Sequence, residues 1–236
     1  PSKINDVLFK AGDQLQIPRN NDFNGEKLEG LGYYEVTQKN GERWSVARAY
    51  LDPVEDRPNL TIIKLAFVAK VLIQDGKAIG VRYSVGKGRK AKSQDALCNR
   101  EVILSGGAFG SPHLLLLSGV GSKDKLEPHG IEQTANVPGV GENLQDHIDH
   151  VLTYRSKIDD VVSVSLGGLI RLVRGIFEYR KRRTGLLTTN IGEAGGFLYT
   201  DRSEPAPDVQ IHMVRGILDD HGRKVHFGSG FSAHVC

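Results

Sequence analysis

The residues best suited to chemistry lie in one stretch, Glu101-Val-Ile-Leu-Ser-Gly-Gly-Ala-Phe-Gly-Ser-Pro-His-Leu-Leu-Leu-Leu-Ser-Gly-Val-Gly121. Its pattern predicts a short buried strand at 102–104 and a small-residue turn at 105–108. A helix follows, with Ser111 as N-cap and Pro112 at its first position. Gly119 and Gly121 then stop that helix. A strand running through glycines into a helix N-terminus brings backbone amides close to a phosphate or a flat cofactor. Ser105, Gly106 and Gly107 are therefore candidate cofactor-binding residues. They end a predicted parallel strand, where open α/β sheets bind ligands, and carry no bulk to keep a ring out. The dinucleotide fingerprint Gly-x-Gly-x-x-Gly does not occur. Gly-x-Gly falls at 30/32, 86/88, 119/121, 139/141 and 228/230, with Glu35, Ala91, Asp124, Leu144 or Ala233 at the third glycine's place. The two alanine cases lack a strand–turn–helix context, so neither reads as a pyrophosphate site.

The elements that must position these residues read as follows. Residues 1–16 suggest a helix with Val7, Leu8, Ala11 and Leu15 on its apolar stripe, ended by Pro18. An alternating strand is expected at 33–37, a turn at Lys39-Asn-Gly-Glu42, and a short helix at 45–51 ended by Pro53. Strands follow at 60–63, 66–74 and 78–85, the last two joined through Asp75-Gly76-Lys77. The basic tip 87–92 reads as a solvated hairpin end. After the 101–121 stretch come a short helix near 123–126 and a strand at 131–135. From about residue 150 the character changes: a strand at 151–154, a long helix at 166–182, and alternating strands at 194–199 and 209–214 around the loop Pro205-Ala-Pro207. The expected fold class is α/β, with α+β character in the second half.

Gly107-Ala-x-x-Ser-Pro-x-Leu-Leu-x-x-Ser-Gly-Val-Gly121 resembles the second signature of the glucose–methanol–choline oxidoreductases, flavoenzymes that oxidise alcohols with FAD. Pro138-Gly-Val-Gly-Glu-Asn-Leu-Gln-Asp-His147 is similar to the family's next block, in the right order. Asn21-Asp-Phe-Asn-Gly25, Arg43-Trp-Ser-Val-Ala, Arg57-Pro-Asn-Leu60, Asn190-Ile-Gly-Glu-Ala-Gly-Gly-Phe197 and Pro207-Asp-Val-Gln-Ile-His212 extend the likeness over nearly the whole chain. The resemblance implies that residues 1–149 are part of an FAD-binding domain with an inserted β-meander. It makes 150–236 part of a substrate domain, a large antiparallel sheet backed by helices. It implies oxidation of a primary alcohol to the aldehyde, by hydride transfer to flavin. A full family member is more than twice as long, so the chain is expected to be a central fragment, inactive alone. No catalytic residue is assigned within it. The alternative is a non-catalytic structural or partner-binding domain that retains no flavin.

The same likeness assigns further residues. The position of Val68 implies backbone contacts from its strand to the adenine of FAD. Asn143, Gln145, Asp146 and His147 have two readings, beside the flavin or as a buried hydrogen-bonded knot on a short turn or helix. Choline-oxidising relatives carry Glu at the place of Asp149, where a carboxylate can face a trimethylammonium head. Asp is one methylene shorter, which favours a neutral aliphatic or aromatic alcohol. Glu193 has two readings: lining the same cavity, or a surface or capping role.

Composition bounds the rest. A net charge of +3 spread along the chain gives no nucleic-acid footprint. No apolar run approaches the roughly 20 residues of a membrane span. Cys98 and Cys236 form neither a metal-ligand spacing nor a disulfide framework, and are expected as free thiols in a cytoplasmic protein. The helix at 166–182 is basic and amphipathic. It reads either as docked on a core or as a peripheral contact with an inner membrane. Sheet edges left unpaired would favour a homodimer.

Overall fold

The computed structural model describes residues 2–86, 88, 91–158, 160–218, 223–224 and 226–236. In chain order its elements begin with helix α1 (Lys3–Gln14) and strands β1 (Gly30–Tyr33), β2 (Gln38–Lys39) and β3 (Glu42–Arg43). Strands β4 (Ala66–Gln74), β5 (Lys77–Val85) and β6 (Lys92–Leu97) come next, then helices α2 (Gly107–Leu117) and α3 (Lys123–Leu126). Strands β7 (His150–Arg155) and β8 (Ser163–Val164), helix α4 (Leu166–Arg182), and strands β9 (Gly192–Leu198), β10 (Val209–Val214) and β11 (Gly228–Val235) complete the order. They form two compact units, Pro1–Glu55 with His147–Cys236, and Asp56–Asp146.

The first unit is built on an antiparallel sheet in the order β1-β9-β10-β11-β7, with β8 paired to the start of β11. The N-terminal segment belongs to it because β1 pairs with β9 in a four-residue ladder, Gly30↔Phe197 to Tyr33↔Ala194. This cuts across a division at 149/150. Helix α1 packs on the sheet through Ile4 and Leu8, against Leu31, Ala194 and Met213. Its buried stripe is Ile4, Asn5, Leu8 and Gly12, one step round from the predicted one; Val7 and Leu15 are exposed. Gly12 explains the choice. A Cβ there would lie 2.4 Å from Leu31 Cδ1, so a glycine is what lets the helix approach the sheet.

The second unit carries the meander β4-β5-β6, antiparallel throughout. Asp75 and Gly76 close β4 onto β5 with positive φ at both positions, as the twist of a two-residue hairpin requires. The third meander strand is β6, not 60–63, which has no ladder partner. Residues 101–106 are also not a strand: they run without helix or ladder, and Ile103 is exposed. An apolar run becomes a strand only when a neighbour accepts its hydrogen bonds, and no strand of this unit lies beside it. Likewise 131–135 reduces to one bridge, Val120↔Ala135. The hairpin tip at 87–92 lies partly outside the described residues.

Helix α2 starts earlier than Ser111-Pro112 predicts. Gly106 is its N-cap, and Pro112 sits inside, where its missing N–H removes one helical bond. Ser111 turns back instead, its Oγ accepting from the Gly106 amide at 2.9 Å. The helix ends as expected. Val120 N donates to Leu115 O and Gly119 N to Leu116 O, both at 3.0 Å, with Gly119 at φ +81°.

Candidate functional site

The second unit carries an apolar groove of about 650 Å³. Strand β4 contributes Phe67 and Val68, β6 contributes Leu97, and the open segment before α2 contributes Ile103, Ser105 and Gly106. Three of the four expected cofactor residues therefore share one groove. Gly107 does not line it; it is the first residue of α2 and adopts φ +77°. Glycine at 106 is required by space: a Cβ there would lie 2.9 Å from Gly110 C and Ser111 N. Strand β4 is an edge of the meander, and its register slips between Val68 and Lys70, so the backbone beside Val68 is bulged.

The lining tests the fit to FAD. Phe67, Leu97 and Ile103 are largely exposed apolar surface, which suits a flat ring. Among the described residues no Lys or Arg lines the groove and Glu101 is its one carboxylate, a lining that does not suit phosphates. The groove fits the ring portion of the cofactor.

In the first unit the sheet face away from α1 carries the second candidate site. Tyr34, Phe197, His212, His234 and Asp149 fall on this face by strand alternation and register, with His212 directly opposite His234. The Tyr34 and His212 rings lie 5.1 Å apart, and Tyr34 Oη donates to Ile211 O at 2.6 Å. Burial pushes the Tyr34 phenol above its ordinary value. The His212 imidazole is held below its ordinary value by burial first, then by His234 and His147, against the opposing pull of Asp149.

Asp149 does not point into open space. Its carboxylate accepts from His234 Nδ1–H at 2.7 Å, and Cys236 Sγ lies 3.9 Å from its other oxygen. His234 is buried, and its Nε2 makes no hydrogen bond among the described residues. Burial and Asp149 together raise the Cys236 thiol pKa, so the thiol stays protonated. Sequence reasoning did not single out His212 or His234 as site residues; only the register brings them opposite each other.

Glu193 stands in a different arrangement. Its carboxylate accepts from Ser2 N at 2.7 Å, Asn5 Nδ2 at 2.8 Å and Thr189 Oγ1 at 2.7 Å, and pairs with Arg215 at 3.3 Å. Burial opposes its ionisation, but these donors outweigh it and hold the carboxyl below the usual range. It ties α1 to β9, and it also lines a cavity of the first unit with Tyr34 and Arg215.

Asn143, Gln145, Asp146 and His147 are exposed on irregular chain, on neither a helix nor a buried knot. Pro138, Gly139 and Gly141 precede them, and Asn143 and Gln145 line a shallow groove beside α2 with Leu144 and Phe109. Cys98 and Cys236 are free thiols, and no metal-binding group of three or more ligands occurs among the described residues.

A family model described as GMC oxidoreductase matches residues 1–149. An alcohol dehydrogenase [acceptor] of Pseudomonas putida is 44% identical over 230 residues, covering 97% of this chain and 41% of that protein. The mitochondrial choline dehydrogenase of Mus musculus is 38% identical over 232 residues, covering 98% and 38%. The crystal structure of a formate oxidase superposes with a TM-score of 0.82 at 24% identity, over 98% of this chain and 44% of that one. The mixed α/β fold with a large antiparallel sheet is thus shared with solved oxidoreductases, and the chain spans about two fifths of the length of its curated relatives. On these matches the chain belongs to the GMC oxidoreductase family.

Proposed function

We propose that this chain is the central part of an FAD-dependent alcohol dehydrogenase that converts a neutral primary alcohol to its aldehyde. FAD is the cofactor that family membership brings. When bound, it supplies the acceptor for the hydride leaving the carbinol carbon. The observation that carries the reading is the groove joining Val68 to Ser105 and Gly106 in a chain of this family. Phe67, Val68, Leu97 and Ile103 offer apolar surface that would hold a flat ring and exclude water from it. Ser105 and Gly106 let the backbone approach closely. On the sheet face of the first unit, Tyr34 and His212 would form a wall for substrate.

The engaged state of Asp149 supports a neutral alcohol over choline. A carboxylate turned to His234 at 2.7 Å would have to leave that partner to face a trimethylammonium head. No general base is assigned to any described residue. The 236 residues alone, without a phosphate-binding fingerprint, are expected to show no turnover. Second copies would associate along the outer edge of β6.

The test is flavin binding by the full-length protein, followed by anaerobic bleaching of the flavin with alcohols. Retained FAD that bleaches faster with aliphatic or aromatic alcohols than with choline is expected. A Gly106→Val protein should bind FAD at least about tenfold more weakly, roughly 1.4 kcal/mol. Unchanged affinity would remove the groove from the cofactor site. A protein that never retains flavin would leave a structural or partner-binding role.

A further inference from the structure

Helix α4 is mounted the wrong way round for a helix of a globular core. Surface helices normally bury their apolar stripe and face water with their polar side. In α4 the buried positions are Gly168 and Gly175. A Cβ at Gly168 would come within 2.0 Å of Ser163 O, and one at Gly175 would contact Leu186 Cβ at 3.5 Å. The helix therefore lies on its own unit through its glycine side. Arg171, on that side, donates to Ser163 Oγ at 2.9 Å.

The opposite side is apolar and open. Leu166, Leu169, Ile170, Val173, Ile176 and Phe177 recur at the spacing of one helical face, and all are exposed, Leu166 by 76% and Phe177 by 67%. The surface continues beyond the N-terminus of the helix, where Val164 bridges the exposed Phe227. Cations border it. Arg174, Arg180, Lys181 and Arg182 are exposed, and Glu178 is the one carboxylate of the helix, itself accepting from Thr184 Oγ1 at 3.1 Å. No described helix is long and apolar enough to cross a membrane.

We propose that this stripe docks on an anionic phospholipid surface, with α4 lying in the plane of the interface. The charge pattern selects this occupant. Apolar side chains would enter the acyl boundary while flexible Arg and Lys side chains reach the phosphates at its rim. A second copy covering the same stripe would set these cations against their own counterparts, because the stripe supplies no carboxylate.

The test uses the full-length protein in vesicle flotation, with phosphatidylcholine alone or with about one third phosphatidylglycerol added. Flotation with the anionic vesicles only is expected. Neutralising Arg174, Arg180 and Lys181 to Gln together should weaken binding by about a hundredfold. A Leu169→Ser/Phe177→Ser protein should not float, with its circular dichroism unchanged. Binding that survives both sets of substitutions, or no binding at all, would overturn the proposal. So would a Phe177→Trp protein whose new indole is already shielded from acrylamide without vesicles. Shielding at every protein concentration would mean that the rest of the chain covers the stripe. Shielding that rises with concentration would mean a second copy does.

Discussion

At Glu193 a single carboxylate gathers four donors from three parts of the chain: Ser2 and Asn5 of the N-terminal segment, Thr189, and Arg215. Glu193→Gln keeps the shape but loses the charge assistance, so unfolding in urea should show a loss of about 2–3 kcal/mol at neutral pH. Because the folded carboxyl is held below its ordinary value of 4.5, the stabilisation is complete above that value and fades as pH falls through the lowered one. The difference between the two proteins should therefore shrink in acid. His212 acts in the same direction at higher pH. Its folded pKa lies below the ordinary 6.5, so stability it contributes above that value is lost as acidification charges the unfolded chain first. Glu193 was legible in sequence only as a choice between two roles, since its partners lie up to 191 residues away.

Among the elements, α4 gives the sharpest contest between opposed effects. Alanine in place of a helical glycine gains about 1 kcal/mol from propensity alone. At Gly168 the added carbon would meet the Ser163 carbonyl oxygen at 2.0 Å, backbone that cannot swing aside. The clash should win, and Gly168→Ala should lower stability by about 1–3 kcal/mol in thermal or urea unfolding. The bounds of α4 and β10 follow from their periodic runs, and the stop of α2 follows from Gly119. The start of α2 does not. Ser111-Pro112 is a strong local signal, but Ser111 is used to hold Gly106 rather than to cap the helix. Residues 101–104 have strand composition without a strand's partner. Composition describes the residue, whereas pairing depends on a neighbour.

For the molecule as a whole, the informative join is β1 on β9. It closes residues before 55 onto those after 147, with Leu31 at the centre, 2% exposed. If a protease site placed at 55/56 is cleaved, the N-terminal piece should stay bound and co-elute in gel filtration. Leu31→Ala, at a cost of about 2–5 kcal/mol, should release it. Retention in the Leu31→Ala protein would show that α1 and the Glu193 contacts suffice without that side chain. The resemblance carried family and cofactor, and both stand; the grouping of residues 1–55 with 147–236 was not visible in it.

The sequence by itself determined the family, the meander hairpin at Asp75-Gly76 and the long basic helix. Those features are local: a turn needs its own glycine, a helix its own period, a signature its own order of residues. Tertiary structure alone decided that Asp149 faces His234, that Glu193 ties α1 to β9, and which side of α4 looks outward. Each depends on strand register or on the space beside one glycine, and both are set by residues far away in the chain.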